Sequence, residues 1–271
     1  MRIAQVAPLF ESVPPKLYGG TERVVSYLTE ELVRLGHDVT LFASGDSETA
    51  ARLVAPCKRA LRLDTRCQDQ LVHQLLELEQ VAHEASRFDV IHYHVDCLHL
   101  PMARRLNVPY LTTLHGSLEG PDLVPFYREF DEVPLVSISD SQRKPLPFVN
   151  WQKTIHHGLP ADLHHFRPEP GKYLAFLGRV SPEKRVDRAI EIAKRVGMPL
   201  KIAAKVDVKD AAYYQREIEP MLKGSSVEFI GEIGGAAKDT FLGEAYALLF
   251  PIDWSEQIGR ASCRERVSSK V

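Results

Sequence analysis

Arg179 and Lys184 are the residues of this 271-residue chain whose types and spacing point most directly to an anion. They lie in Tyr173-Leu-Ala-Phe-Leu-Gly-Arg-Val-Ser-Pro-Glu-Lys-Arg-Val-Asp-Arg-Ala-Ile190. Tyr173 to Leu177 reads as a buried strand ended by Gly178. Ser181 and Pro182 read as the N-cap and first residue of a helix. Val186, Ala189, Ile190, Ala193 and Val196 supply its apolar face, and Gly197 closes it. A lysine in a first helical turn faces the positive end of the helix dipole, which is unfavourable unless an anion sits there. The alternative is a pair of solvated surface cations.

Other residues could serve chemistry beside them. His115-Gly116 ends the strand pattern Tyr110–Leu114, and polar groups at carboxyl strand ends are where parallel sheets place their sites. His115 could equally be a satisfied structural histidine. His92 and His94 share one face of a strand. A zinc site with His99 or Asp96 is conceivable, but no third ligand is placed by the pattern, and no metal is expected. Gly19-Gly20 directly precedes a helix and suits close backbone approach, or simply a turn. Glu22 reads as a dipole partner of that helix. Ser139 reads first as an N-cap. Glu256 follows Phe250-Pro-Ile-Asp-Trp-Ser.

The elements that must position these residues alternate between strand and helix. This is the pattern of parallel α/β sheets. Strands are expected at Ile3–Ala7, Val39–Ala43, Val90–His94, Tyr110–Leu114, Val133–Ile138 and Thr154–His157. A helix capped by Thr21 runs to Gly36, and another covers Asp69–Ser86. From Gly158 to Gly171 periodicity lapses around Pro160, Pro168 and Pro170, which reads as a linker. The second half adds strands at Tyr173, Leu200–Ala204, Val227–Ile230 and Leu248–Pro251. Helices are expected at about Ala211–Leu222 and at Leu242–Ala247. The expected domains are 1–160, a Rossmann-like unit, and 171–257, a partial second one, with 258–271 a tail. Two such sheets facing each other would make a cleft.

Composition narrows the function further. A hydrophobic content of 44% supports packed cores, and a net charge of −2 gives no general pull toward nucleic acid or anionic membrane. Cys57, Cys67, Cys97 and Cys263 lack C-x-x-C pairing and read as reduced thiols of a cytoplasmic protein, with Cys57–Cys67 as a disulfide alternative. No apolar run reaches the roughly 20 residues of a membrane span, although peripheral membrane contact stays open. G-x-G-x-x-G and Asp-x-Asp are both absent from the sequence.

Gly178-Arg179-x4-Lys184 resembles the Gly-Arg-x-x-x-x-Lys element of family 4 glycosyltransferases. The Gly19-Gly20 loop, His115, Val136-Ser-Ile-Ser139 and Ile155-His-His-Gly-Leu159 also resemble their counterparts there. The resemblance covers about residues 1–257. It implies the GT-B fold and metal-independent transfer of a sugar from a UDP-, GDP- or ADP-sugar to an acceptor hydroxyl, with retention of configuration. The acceptor class stays open among sugars, lipids and small molecules. Arg179 and Lys184 would bind the donor diphosphate, and Glu256 would hold the donor sugar. His115 and the Gly19-Gly20 loop would shape the acceptor side, and the segment with Ser139 would close the N-terminal half of the cleft. Domain closure would exclude water.

Two features depart from the family pattern. His157 stands where Asn is common. The Glu-x7-Glu element, which begins at Glu256, meets Arg264 instead of its second Glu. From about Ile258 the sequence no longer resembles the family, so a truncated second domain with a foreign tail is expected, and with it weak or no activity. The alternatives are a nucleotide-sugar epimerase or phosphorylase of the same fold, and a non-catalytic nucleotide-sugar-binding fragment.

Overall fold

The computed structural model describes residues 1–253 except Leu17, Asp162, His164, Phe166, Gly224 and Ser225. The chain divides into two compact units, Met1–Leu159 and Pro160–Val271.

The first unit is a parallel sheet of seven strands. These are β1 (Arg2–Val6), β2 (Asp38–Phe42), β3 (Arg52–Val54), β4 (Val90–Tyr93), β5 (Tyr110–Thr113), β6 (Leu135–Ser137) and β7 (Trp151–Thr154). Their spatial order is β3-β2-β1-β4-β5-β6-β7. The order reverses between β1 and β4, and ligands of doubly wound sheets bind at the carboxyl ends of such a pair. Helices α1 (Gly20–Arg34), α2 (Gln70–Glu84), α3 (Leu100–Ala103), α4 (Leu123–Glu129) and α5 (Asp140–Arg143) connect the strands. Both faces of the central part of the sheet are covered, so its central strands are mostly apolar. Phe42, Ile91 and Tyr93 pack with Leu78 and Val81 of α2, and Val25 of α1 packs with Ala7 and Leu41.

Several boundaries differ from the sequence expectation. Gly19, not Thr21, occupies the cap position of α1, which starts at Gly20. β3 is an additional edge strand, too short to show a period. β7 lies at Trp151–Thr154, earlier than Thr154–His157, because Leu135 of β6 pairs with Trp151 and Ser137 with Thr154. Asp69 caps α2, its carboxylate accepting from the Leu71 and Val72 amides. Cys57, Cys67 and Cys97 are free thiols, which removes the Cys57–Cys67 disulfide alternative.

The second unit holds β8 (Tyr173–Arg179), β9 (Leu200–Lys205), β10 (Val227–Gly231) and β11 (Ala245–Leu248), parallel in the order β10-β9-β8-β11. Helix α6 (Val186–Val196) buries Val186, Ala189, Ile190 and Ala193 against Leu174, Phe176 and Ile202. Gly197 ends it at φ 72°, a conformation that favours glycine. A continuous helical segment follows β9: α7 (Ala211–Tyr213), a π turn (Tyr214–Ile218) and α8 (Glu219–Leu222). Helix α9 (Gly235–Gly243) precedes β11.

Three expectations are corrected here. β8 does not stop at Gly178, because Gly178 and Arg179 continue the ladder against Ala204 and Lys205. The expected helix at Leu242–Ala247 and strand at Leu248–Pro251 are shifted. Ala245–Leu248 pairs with Tyr173–Ala175, and a short apolar run does not by itself distinguish strand from helix. Ser181 and Pro182 open a separate 3-10 turn, Pro182–Lys184, rather than α6.

Candidate active site

At the switch point of the first sheet, a row of polar side chains crosses the carboxyl end of the strands. Gln5 of β1 is 1% exposed, His94 just after β4 is 2% exposed, and His115 follows β5. A buried amide and a buried imidazole are tolerated only when hydrogen-bonded. Gln5 Oε1 lies 2.9 Å from His94 Nε2, and His94 Nδ1 lies 2.9 Å from His115 Nε2. His92 contacts Gln5 Nε2 through Nδ1 at 3.4 Å and Thr113 Oγ1 through Nε2 at 2.8 Å. The His157 ring stacks on His115 with centroids 5.2 Å apart and planes 15° apart. The structure thus carries the histidine row from β1 to the segment after β7.

Burial sets the charge of this row. Desolvation, reinforced by His92, His115, His157 and His99, pushes His94 well below the ordinary histidine range, so it is neutral. Burial lowers His92 to about 4 and His99 to about 3. The His92/His94 pair was a conceivable zinc site in the sequence. In the structure both ring nitrogens of His92 are engaged with Gln5 and Thr113. Among the described residues no group of three His, Cys, Asp or Glu side chains is placed to hold a metal ion.

The backbone beside His115 is clamped from α5. Ser139 caps that helix by accepting from the Gln142 amide at 3.1 Å. Gln142 donates to the Leu114 and Gly116 carbonyls at 2.9 and 2.8 Å, and its own side-chain oxygen accepts from the Ile138 amide at 2.9 Å. Ser139 therefore acts on the segment carrying His115 through Gln142, and nothing in the sequence pattern had marked Gln142. On the loop after β1, a Cβ at Gly19 would stand 2.6 and 2.7 Å from Pro15 carbons. This position thus needs glycine for close approach, not for its dihedral angle. Glu22, in the first turn of α1, is buried, and desolvation raises its carboxyl above the ordinary range.

The second unit has its own switch point between β8 and β11. Arg179 ends β8 and is 22% exposed at the side chain. Three carboxylates surround it: Glu183 at 2.6 Å, Asp210 at 3.4 Å and Asp207 at 3.9 Å. Burial would raise Glu183, but its own backbone amide and the Arg179 guanidinium outweigh this and hold it below the ordinary range. Lys184 lies in the 3-10 turn ahead of α6, with Nζ 5.6 Å from the centre of the Phe250 ring.

Arg185 links that turn to α6 in the left-handed region, at φ 54°. This is a costly conformation for a non-glycine residue. Ion pairs of Arg185 to Asp187 at 2.6 Å and to Asp253 at 2.8 Å hold it there. The Asp253 amide also donates to the Glu183 carbonyl at 3.0 Å. The segment after β11 is thereby tied to the turn that carries Lys184. Lys184 precedes the α-helix rather than lying in its first turn, so the dipole reasoning applies only to the short 3-10 turn. Glu256 and the tail after residue 257 lie outside the described residues.

Solved structures share this architecture. AviGT4, a glycosyltransferase involved in avilamycin A biosynthesis, superposes with a TM-score of 0.68 at 24% identity, over 96% of this chain and 71% of its own. Sucrose-phosphate synthase from Thermosynechococcus elongatus gives a TM-score of 0.78 at 16% identity, over 98% and 79%. HepE from Anabaena, solved with UDP-glucose, gives 0.68 at 11% identity, over 97% and 78%. The chain has the GT-B fold of glycosyltransferases.

Residues 18–146, most of the first unit, match the model of Glycosyltransferase Family 4. No curated protein matches the chain. The family match and the fold together support an enzyme of the glycosyltransferase kind.

Proposed function

We propose that the chain transfers a sugar from a nucleotide-diphosphate donor to an acceptor hydroxyl, with retention of configuration and without a metal. The observation that carries this reading is the switch point of the second sheet. There Arg179 at the end of β8 and Lys184 five residues later offer two cations beside a turn braced by Arg185, Asp187 and Asp253. A departing diphosphate must be neutralised as the glycosidic bond breaks. Cations already held in position do this without reorganisation. The carboxylates around Arg179 fix its guanidinium, at the cost of competing with phosphate for it. The donor exchanges one partner of Arg179 for another.

UDP is the donor base we favour, since HepE was solved with UDP-glucose. GDP and ADP are the alternatives. Glu256 is assigned the donor sugar. His115, the Gly19-Gly20 loop and Ser139 are assigned the acceptor side. The leaving phosphate takes the acceptor proton in this reading, so no protein nucleophile is assigned. The acceptor class is a sugar, lipid or small-molecule hydroxyl.

The test is incubation with UDP-glucose and a panel of hydroxyl acceptors, with the anomeric configuration of the product read by NMR and the assay repeated in EDTA. A product of retained configuration, formed equally in chelator, is expected. An inverted product or loss of transfer in EDTA contradicts the corresponding part of the proposal. Release of nucleotide without any acceptor indicates the epimerase class, and binding without turnover a non-catalytic fragment.

A further inference from the structure

We propose that the first two turns of α2, with the basic loop before them, dock this chain onto an anionic phospholipid bilayer. The docking is peripheral: among the described residues no helix is long and apolar enough to cross a membrane. It stands on surface chemistry alone and does not depend on the transferase reading.

Leu71, Val72, Leu75 and Leu76 follow one another at i, i+1, i+4 and i+5, which sets them on one side of α2. Each is 50 to 56% exposed, and Leu63 of the preceding loop adds another apolar side chain at 47%. The helix does not need this face for its own packing, because Leu78 and Val81 bury the other side against Phe42 and Ile91. Farther along the exposed side come Glu79 and His83, which lie 3.0 Å apart. The apolar stretch is therefore confined to the start of the helix. A contiguous apolar patch on a surface helix marks contact with a partner or a membrane.

Charge chooses between those occupants. The loop from Ala55 to Asp69 carries Lys58, Arg59, Arg62 and Arg66 against Asp64 and Asp69, a local cationic excess in a chain of net charge −2. All four cations are exposed. Arg62 pairs with Glu11 at 2.9 Å and Arg66 with Asp64 at 3.0 Å, which ties the loop down. Lys58 and Arg66 line a pocket of about 390 Å³ with Leu61, Asp64 and His73, wide enough for a lipid phosphate. His73 follows Val72 directly and brings that pocket to the edge of the apolar face. An apolar helix face with a basic flank suits an anionic interface. A two-fold contact between copies through this face would instead set their basic loops against each other. Since β3 ends at Val54, the loop and the first turns of α2 lie at the carboxyl edge of the sheet, the edge that also carries His94 and His115. Docking brings that edge close to the bilayer. On the transferase reading, which only this consequence uses, the acceptor is a hydroxyl held at the membrane.

The experiment is co-sedimentation of the 271-residue chain with vesicles of phosphatidylcholine, alone or mixed equally with phosphatidylglycerol, at low and at high salt. Binding to the anionic vesicles is expected to be roughly tenfold tighter than to phosphatidylcholine and to weaken as salt rises. Leu75→Ser with Leu76→Ser should lower it by roughly tenfold or more, with an unchanged circular dichroism spectrum. Lys58→Gln with Arg59→Gln should lower it by roughly tenfold. The same loss of charge in the last turn of α6, Lys194→Gln with Arg195→Gln, should leave it within about twofold. No binding to anionic vesicles overturns the proposal, as does undiminished binding by the leucine variant or an equal loss in the α6 variant. Light scattering that finds a dimer of the wild type and a monomer of the leucine variant gives the face to a second copy and also overturns it. Should the leucine variant fail to fold, the wild type and the two charge variants decide. No sugar or nucleotide enters this assay, so its failure leaves the transferase reading standing, and a lack of transfer leaves the docking standing.

Discussion

Arg179 sits among Glu183, Asp207 and Asp210, so its loss should weaken ligand binding and also cost some stability by leaving three carboxylates facing one another. Arg179→Ala and Lys184→Ala are each expected to lower kcat by about 100-fold, the scale of removing one preorganised charge-stabilising donor, with an unchanged circular dichroism spectrum. Near-normal turnover in both would remove the diphosphate assignment. Arg179→Lys should rescue only in part, because an ammonium cannot reproduce the guanidinium fork.

Glu77 on α2 is a different kind of residue. It is fully buried, its two oxygens have no hydrogen-bond partner among the described residues, and desolvation raises its carboxyl well above the ordinary 4.5. Glu77→Met should stabilise the protein by roughly 1–3 kcal/mol. The sign with pH follows from linkage. Above about pH 4.5 the unfolded chain releases this proton while the folded one keeps it, so the folded state loses stability as pH rises until Glu77 itself ionises. The gain from Glu77→Met in urea unfolding should therefore grow above that pH, and a gain independent of pH would refute the raised carboxyl.

Loops and short helices carry the constraints at the scale of elements. Gly19 admits α1 so close to Pro15 that no side chain fits, and Gly19→Ala must shift either the loop or the helix start. We expect a loss of about 1–3 kcal/mol in chemical denaturation, the usual cost of overpacking. Ser139→Ala removes the cap of α5 and should cost about 1 kcal/mol. It should also loosen the Gln142 clamp on the Leu114 and Gly116 carbonyls, so the His115 amide should exchange faster in hydrogen-exchange measurements. Unchanged protection would mean that Gln142 holds this segment without its cap.

For the molecule as a whole, the chain has two open sheets, each with polar residues at the carboxyl ends beside a reversal in strand order, where doubly wound sheets bind ligands. A nucleotide that binds the folded chain at about 100 times its dissociation constant adds roughly 2.7 kcal/mol. Thermal shift against UDP, GDP, ADP and their glucose and mannose conjugates should therefore single out one base. A cooperative melt that none of the six raises would place this chain outside the nucleotide-binding members of its fold.

Much of this was legible in the chain itself. Apolar runs between helical periods marked most of the strands, and Gly-Arg-x4-Lys marked the cation pair, because local pattern and backbone preference act over a few residues. The boundaries that failed were those set by partners. Gly178 and Arg179 stay in β8 because β9 offers them a ladder, Ala245–Leu248 is a strand because β8 does, and α6 waits until Val186 because Arg185 is held left-handed by Asp187 and Asp253. The histidine row was only half visible: His92, His94 and His115 stood out by type, but Gln5 lay in an ordinary strand and Gln142 in an ordinary helix start. What each contributes depends on hydrogen bonds to residues 26 to 89 positions away. Sequence spacing determines which residues share a face. Only the packing of strands from distant parts of the chain decides which polar groups meet.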